Sequence, residues 1–389
     1  MKKKKEILET EEKKINIHSL KDIPGLGPVS SERLAEKGIT NMLSLWAGMN
    51  NPIEIAKITG MDKKDANKAL IFVREQLEKA GVLGTTKMTA DKYYDEILER
   101  KHLKLGCSNI DNILKGGFET SLLYELYGDG GAGKTQFLHT LAVNVSRPIE
   151  DGGLYDKETD GEKLPFTLYI DTENTFSPQR LQSIYAGKGL VTQIPKELQK
   201  KEIEDKLTDV ELMELNKLKQ KQFTESKELE KRILIWKCTT AVSLIVMLED
   251  ANGLISTGFP IKLIILDSLT NLFRPNYIGR GAMWSKSDDL NYVMKLLNDL
   301  AEVHKLVLIF TTQVYARPDA KQWEDPFIAH GGHIVAHASN VRLKLDKPSG
   351  NPMAKKHKMT IIKASYLPND EALFTLTDKG VENFTKEEK

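Results

Sequence analysis

Two cysteines in 389 residues, Cys107 and Cys238, exclude a disulfide-built scaffold and give no paired spacing for a metal or redox centre. That usage fits a reducing compartment and two buried thiols. Long apolar runs are missing as well. Stretches such as "LIIL" and "LVLIF" are strand-length, far below the ~20 residues that span a bilayer, so no membrane partner is expected. The amino terminus, "MKKKKEILETEEKK", has the basic start of a secretory signal without the apolar stretch behind it. Residues 1–14 therefore read as a solvated charged tail, and the protein as cytoplasmic. Excess charge of one sign is also absent, since 56 Lys and Arg face 55 Asp and Glu for a net charge of +1. This excludes a globally basic nucleic-acid binder, so any grip on phosphate backbones has to come from local clusters.

What is present divides the chain. Residues 15–80 carry a compact helical pattern in which "PGLGP" separates two helix-forming stretches. The tight turn resembles a helix-hairpin-helix element, in which the amides of Gly25 and Gly27 face a nucleic-acid phosphate. The alternative is a bundle turn whose glycines only supply backbone angles. Residues 81–102 read as a linker with a short helix. From residue 103 to the end, apolar runs ("LYELYG", "TLYID", "ILIWKC", "LIILDS", "LVLIFTT") alternate with helical or loop stretches. That alternation predicts an α/β class with a mostly parallel sheet and helices on its faces. Residues 192–232 break the alternation. Rich in Lys, Glu and Leu with opposite charges three or four apart, they predict an inserted helical arm, either a solvated hairpin or a docking site for a protein partner.

The chemistry begins at "GDGGAGKTQF". Gly128, Asp129, Gly130, Gly131, Ala132, Gly133, Lys134 and Thr135 fit G-x-x-x-x-G-K-[ST] between a predicted strand and a predicted helix that continues with Gln136. Backbone amides of such a loop wrap the phosphates of ATP, Lys134 neutralises them, and the Thr135 hydroxyl ligates Mg²⁺. Asp267, closing the apolar run "KLIILD", is the metal-ordering carboxylate. Hydrolysis also needs a group that polarises water, and in "YIDTENTF" both Asp171 and Glu173 sit at a strand end suited to that task.

These motifs belong to a longer resemblance. "IPGLGP", "GKTQFLHTLAVNV", "YIDTENTF", "DSLTNLFRPNYIGRGA", "QVYARPDA", "GGHIVAHASNVRL" and "LPNDEALFTLTDKGVEN" occur in the order found in the archaeal RadA recombinases, relatives of bacterial RecA. From Leu20 onward the sequence resembles that family, with the amino-terminal tail and the 192–232 arm outside the likeness. The resemblance implies a RecA-like ATPase core on a helix-hairpin-helix domain. It makes Glu173 the water-activating residue, Arg180 the residue covering adenine, Gln313 the link from γ-phosphate to DNA and His333 a nucleotide-sensing group, with Pro368 also at the nucleotide. "YIGRGAMWSKSDD" and "ARPDAKQWEDPFIAHGG" resemble the family's two DNA loops. Arg280, Lys286 and Arg317 then contact phosphates and Trp284 stacks on bases; without the family, each reads as a surface cation or a core aromatic.

The resemblance also implies ATP bound between protomers of a helical filament on single-stranded DNA, followed by exchange with duplex DNA. Three departures qualify it. Where the family carries a Phe-x-x-Ala anchor for the next protomer, this chain has Lys87, Met88, Thr89 and Ala90, and Trp236 falls where the receiving strand is usually small. Met88 is the candidate replacement plug. Lys363 stands where archaeal relatives place a cation-binding aspartate, so its ammonium is expected to supply that charge in trans, with an outward-pointing surface lysine as the alternative. Thr312 replaces an asparagine and Ser177 an arginine. The expected function is a DNA-dependent ATPase and strand-exchange recombinase; an accessory ATPase that does not polymerise, and a hexameric helicase, are the competing readings.

Overall fold

The computed structural model describes residues 19–48, 51–79, 88–273, 280–316, 327–347 and 356–385. Contacts divide the chain into two units, Met1–Tyr94 and Asp95–Lys389.

The first unit is helical. Gly25 takes the left-handed conformation at φ +83, where a side chain would be strained, and Gly27 caps α1 (Pro28–Ala35), which starts on a proline whose missing N–H costs nothing there. α2 (Met42–Gly48) follows. α3 (Pro52–Thr59) is capped by the Asn51 side chain and stopped by left-handed Gly60, and α4 (Lys63–Lys79) completes the bundle. The spacing of Ala66, Ala69, Val73 and Leu77 gives α4 one apolar stripe, which closes over Leu34, Met42, Leu45 and Ile55. The expected glycine turn leading into a helix is present. α5 (Ala90–Leu98) runs across the boundary between the units.

In the second unit, β1 (His102–Leu103) and β2 (Phe118–Glu119) pair around α6 (Ser108–Ile113). β3 (Leu122–Gly128) leads into α7 (Lys134–Asn144), followed by α8 (Lys157–Asp160), β4 (Phe166–Asp171) and α9 (Pro178–Gly187). Next come α10 (Lys196–Ile203), α11 (Asp209–Glu230), β5 (Ile233–Lys237), α12 (Ala241–Ser256), β6 (Ile261–Asp267) and α13 (Leu269–Leu272). α14 (Arg280–Val303), β7 (Val307–Ala316), β8 (Phe327–Ala329), α15 (Gly332–Ala338), β9 (Val341–Asp346), β10 (His357–Ala364), β11 (Glu371–Thr377) and β12 (Gly380–Asn383) finish the chain.

The main sheet has the order β12-β11-β10-β9-β3-β7-β6-β4-β5, with β8 beside β7. The strands from β9 to β5 run parallel, and the last four strands of the chain pair antiparallel. This is the RecA-like α/β architecture expected. Strand alternation splits the core: Tyr124, Leu126, Tyr169, Ile265 and Ile309 face α7, while Leu123, Ile170, Ile264, Leu308 and Phe310 face α12 and α14. Both faces are covered, which is why the central strands are apolar throughout. The register aligns Gly128 with Gln313 and Asp171 with Asp267, so the carboxyl ends of four parallel strands meet at one rim. Ligands of open α/β sheets bind at such rims.

The 192–232 segment forms a helical hairpin, α10 and α11. A reciprocal Thr208–Glu211 capping box starts α11, and Lys201–Glu211 and Lys219–Glu202 cross between the helices. Lys201, with the Thr208 cap, holds the Glu211 carboxyl down at about 2. Leu215 and Ser226 are buried, and Gln182 of α9 bonds Glu230, so α11 is docked on the core. Ile203, Val210 and Met213 are exposed.

The "YIGRGAMWSKSDD" stretch differs from the expected loop: Arg280, Trp284 and Lys286 lie on the first turns of α14. Beyond Gly281 no glycine or proline interrupts the sequence, and its helical period joins Leu290, Val293 and Leu297, which anchor the helix in the core. Arg317 lies outside the described residues.

Candidate nucleotide-binding site

At the rim, the loop from Gly128 to Thr135 lines a cleft of about 400 Å³ together with Gln136, Glu173, Asp267, Ser268 and Gln313. The loop can sit this close to the sheet because Gly128 has no side chain: a Cβ there would stand 2.2 Å from the Leu345 carbonyl oxygen. Gly133, in the left-handed conformation, caps α7 and aims its first amides into the cleft. Lys134 Nζ donates to the carbonyls of Gly128 at 2.8 Å and Asp129 at 3.0 Å. Burial pushes its pKa down, opposed by the charges of Asp267, Glu173 and Asp129.

Asp267 ends β6 with its carboxylate fully engaged. Oδ2 accepts from Thr135 Oγ1 at 2.9 Å and from the Tyr169 hydroxyl at 2.9 Å, and Oδ1 accepts from Thr311 Oγ1. The Thr135 hydroxyl and the Asp267 carboxylate are hard oxygens side by side, a donor pair suited to Mg²⁺, which prefers few protein ligands alongside phosphate and water. Among the described residues no cluster of three or more His, Cys, Asp or Glu competes for a metal.

The two carboxylates that the sequence left in competition have different surroundings. Asp171 is buried, and its oxygens accept the amides of Glu173 (3.1 Å), Thr175 (3.2 Å) and Phe176 (3.1 Å), so it folds the loop behind β4. Glu173 projects into the cleft, where Oε1 accepts from Gln313 Nε2 at 2.8 Å and from Ser268 Oγ. Glu173, Gln313, Lys134, Thr135 and Asp267 are thereby brought together. Arg180, on the first turn of α9, donates to the Gln136 carboxamide and to the Thr377 carbonyl beside the same loop.

His333, Lys363 and Pro368 are not among the residues of this cleft. His333 is exposed on α15 with its ring 6.0 Å from that of His337, and Pro368 is exposed between β10 and β11. Lys363 is committed within its own chain: Nζ donates to the carbonyls of Ala336 (2.8 Å), His337 (3.1 Å) and Ser339 (2.8 Å), while Asn298 takes Ala338. A cation at the negative end of a helix is favourable. Burial and neighbouring Arg342 push the Lys363 pKa down. A surface lysine pointing outward is thus excluded, and a charge offered to another protomer has to leave three carbonyls first. Met88 is exposed, Ala90 starts α5, and Trp236 is half-buried on β5, the edge of the sheet among the described strands.

Comparison with known proteins now decides the family. The Rad51 family pattern matches residues 99–197 and 190–384, and the second match runs through the 192–232 arm, which corrects the expectation that the arm lies outside the likeness. The chain belongs to the Rad51 family. Among its relatives, a protein named "DNA repair and recombination protein RadA" from Aeropyrum pernix is 31% identical over 370 residues, covering 95% of this chain and 98% of the relative. Proteins of the same name from Metallosphaera sedula and Cenarchaeum symbiosum are each 29% identical, over 96% and 94% of this chain and 98% and 79% of their own length. Against this Rad51-family frame, sequence reasoning passed over Tyr169, Thr311 and Ser268, which orient the two site carboxylates. Tyr169 was accessible in principle, since it lies on the same strand face as Asp171, two residues earlier.

Proposed function

We propose that this chain is an ATP-dependent DNA recombinase that assembles along single-stranded DNA and exchanges it with homologous duplex. The Glu173–Gln313 hydrogen bond carries the reading, because it joins the group beside the phosphate loop to β7, the strand that runs on toward residues 317–326. Thr135 and Asp267 would hold Mg²⁺, which neutralises phosphate charge when bound. Lys134 and the loop amides grip the phosphates. Glu173 takes the proton of the attacking water, and Gln313 together with Ser268 orients it. Arg180, at the Gln136 edge, covers the base.

His333, Pro368 and the α15 end held by Lys363 would complete the nucleotide site of an adjoining copy, so ATP cements a filament along DNA and hydrolysis loosens it. Gly25 and Gly27, with Arg280, Trp284, Lys286 and Arg317, supply DNA contacts, and Met88, Ala90 and Trp236 the contacts between copies. The α10–α11 hairpin is a solvated arm, and its exposed Ile203, Val210 and Met213 are where a protein partner would dock if it has one. The accessory-ATPase reading is favoured by one observation, Lys87 at the anchor position, since an ammonium cannot fill an apolar pocket cheaply.

Steady-state ATP hydrolysis with and without single-stranded DNA tests the proposal: stimulation by DNA is expected, and a rate indifferent to DNA contradicts it. In the same assay, Lys363 as a built-in cation predicts a rate that barely changes when potassium replaces sodium. Strong potassium activation would show that the ammonium does not do a cation's work.

A further inference from the structure

His139 lies one turn into α7, fully buried, and no step above uses it. Its Nδ1 stands 2.7 Å from the Thr135 carbonyl oxygen and its Nε2 3.2 Å from the Ser177 backbone nitrogen. A carbonyl only accepts and an amide N–H only donates. Nδ1 therefore carries the proton and Nε2 the lone pair, which fixes one tautomer of a neutral imidazole. Burial favours that neutral form, with Asp267 and Asp171 attracting and Arg180 repelling a charge at the ring. The ring also packs against Tyr169 (centroids 5.8 Å) and Phe176 (5.2 Å), and the Tyr169 hydroxyl reaches Asp267.

Thr135 and Ser177 belong to the two segments that carry the cleft's reacting groups, the phosphate loop and the loop of Glu173. Thr135 heads the helix of the phosphate loop. Ser177 closes the 172–177 loop that bears Glu173, and its own hydroxyl accepts from the Arg180 amide to start α9. Asp171 pins the amides of Glu173, Thr175 and Phe176, and the Ser177 amide is left to His139.

We infer that His139 is a positioning residue for ATP hydrolysis, a two-sided hydrogen-bond bridge that fixes the loop of Glu173 and the cap of Arg180 against the helix of Thr135. The inference rests on the ATPase reading. Because the bridge sets the reach of Glu173 rather than the grip on phosphate, its loss falls on kcat. A small misplacement of a reacting group costs about ten- to a hundredfold in rate.

The test compares His139→Phe, which keeps an aromatic ring without the bridge, with His139→Gln, whose amide offers one donor and one acceptor. Steady-state kinetics should give His139→Phe a kcat lower by about tenfold or more with the KM for ATP little changed, and His139→Gln a kcat close to wild type. A wild-type kcat in the Phe variant, or a Gln variant as slow as Phe, overturns the inference. Amide hydrogen exchange on the wild-type protein covers the case in which the Phe variant does not fold. A protected Ser177 amide is expected, and free exchange there overturns the bridge. If wild-type protein hydrolyses no ATP, the functional reading fails, and the exchange result alone decides whether the bridge exists.

Discussion

Glu173→Gln is expected to lower kcat for ATP hydrolysis by about 10²- to 10⁴-fold, the usual contribution of a general base, with the KM for ATP and the melting temperature little changed. The glutamine still accepts from Ser268 and Gln313 and keeps the shape of the cleft, so only proton transfer is lost. Asp171→Asn should act through stability instead. Its carboxylate binds three loop amides, and charge-assisted hydrogen bonds contribute about 1.5–3 kcal/mol each. An asparagine turns one acceptor oxygen into a donor facing those amides, so stability falls by roughly 2 kcal/mol or more and the rate falls with it. Kinetics beside thermal melts of the two variants separate the roles. A silent Glu173→Gln beside a stable, inactive Asp171→Asn would exchange them.

The second large effect concerns stability. Glu125, fully buried on β3, accepts from Thr312 Oγ1 at 2.7 Å and from Arg342, whose guanidinium also lies over the Tyr127 ring at 5.2 Å. In register, Arg342 sits between Glu125 on β3 and Lys363 on β10, so this polar row crosses the sheet to the carbonyls of α15. Removing one partner of a buried pair strands the other charge. Arg342→Met is therefore expected to cost about 3–5 kcal/mol. At ~2–4 °C per kcal/mol for a unit of this size, that is a fall of roughly 6–20 °C in melting temperature. Replacing both partners with apolar residues should recover much of the loss, since desolvating the pair offsets most of its attraction. Equal instability of the single and double variants, read from urea melts, would mean that the row contributes through packing alone. The row also gives Thr312 a purpose: its hydroxyl is the donor that buried Glu125 needs.

The nucleotide loop could be read from the sequence because its chemistry is local. Strand, glycines, lysine and helix are contiguous, and the apolar runs flanking it became β3 and the helix α7. Partners across the sheet were less legible. "YIDTENTF" holds two carboxylates two residues apart, and only the fold turns Asp171 into the backbone and Glu173 toward Gln313. Lys363 was recognised as a substitution, but its partners are the last carbonyls of a helix some two dozen residues earlier, which no spacing rule reveals. His139 looked like part of an ordinary helix because its second partner, Ser177, comes from beyond the next strand. The glycines before Trp284 suggested a loop, whereas the apolar period anchored farther on, at Leu290 and Leu297, carries the helix back to Arg280. Local motifs thus gave the loop, and long-range pairing decided what each neighbouring side chain does.

Negative-stain imaging of the full chain with single-stranded DNA, with and without ATP and Mg²⁺, addresses self-assembly directly. Regular filaments that appear only with nucleotide are expected, which would mean that self-assembly proceeds with Lys87 at the expected anchor position. Monomers or closed rings under every condition would contradict the recombinase reading and favour an accessory ATPase.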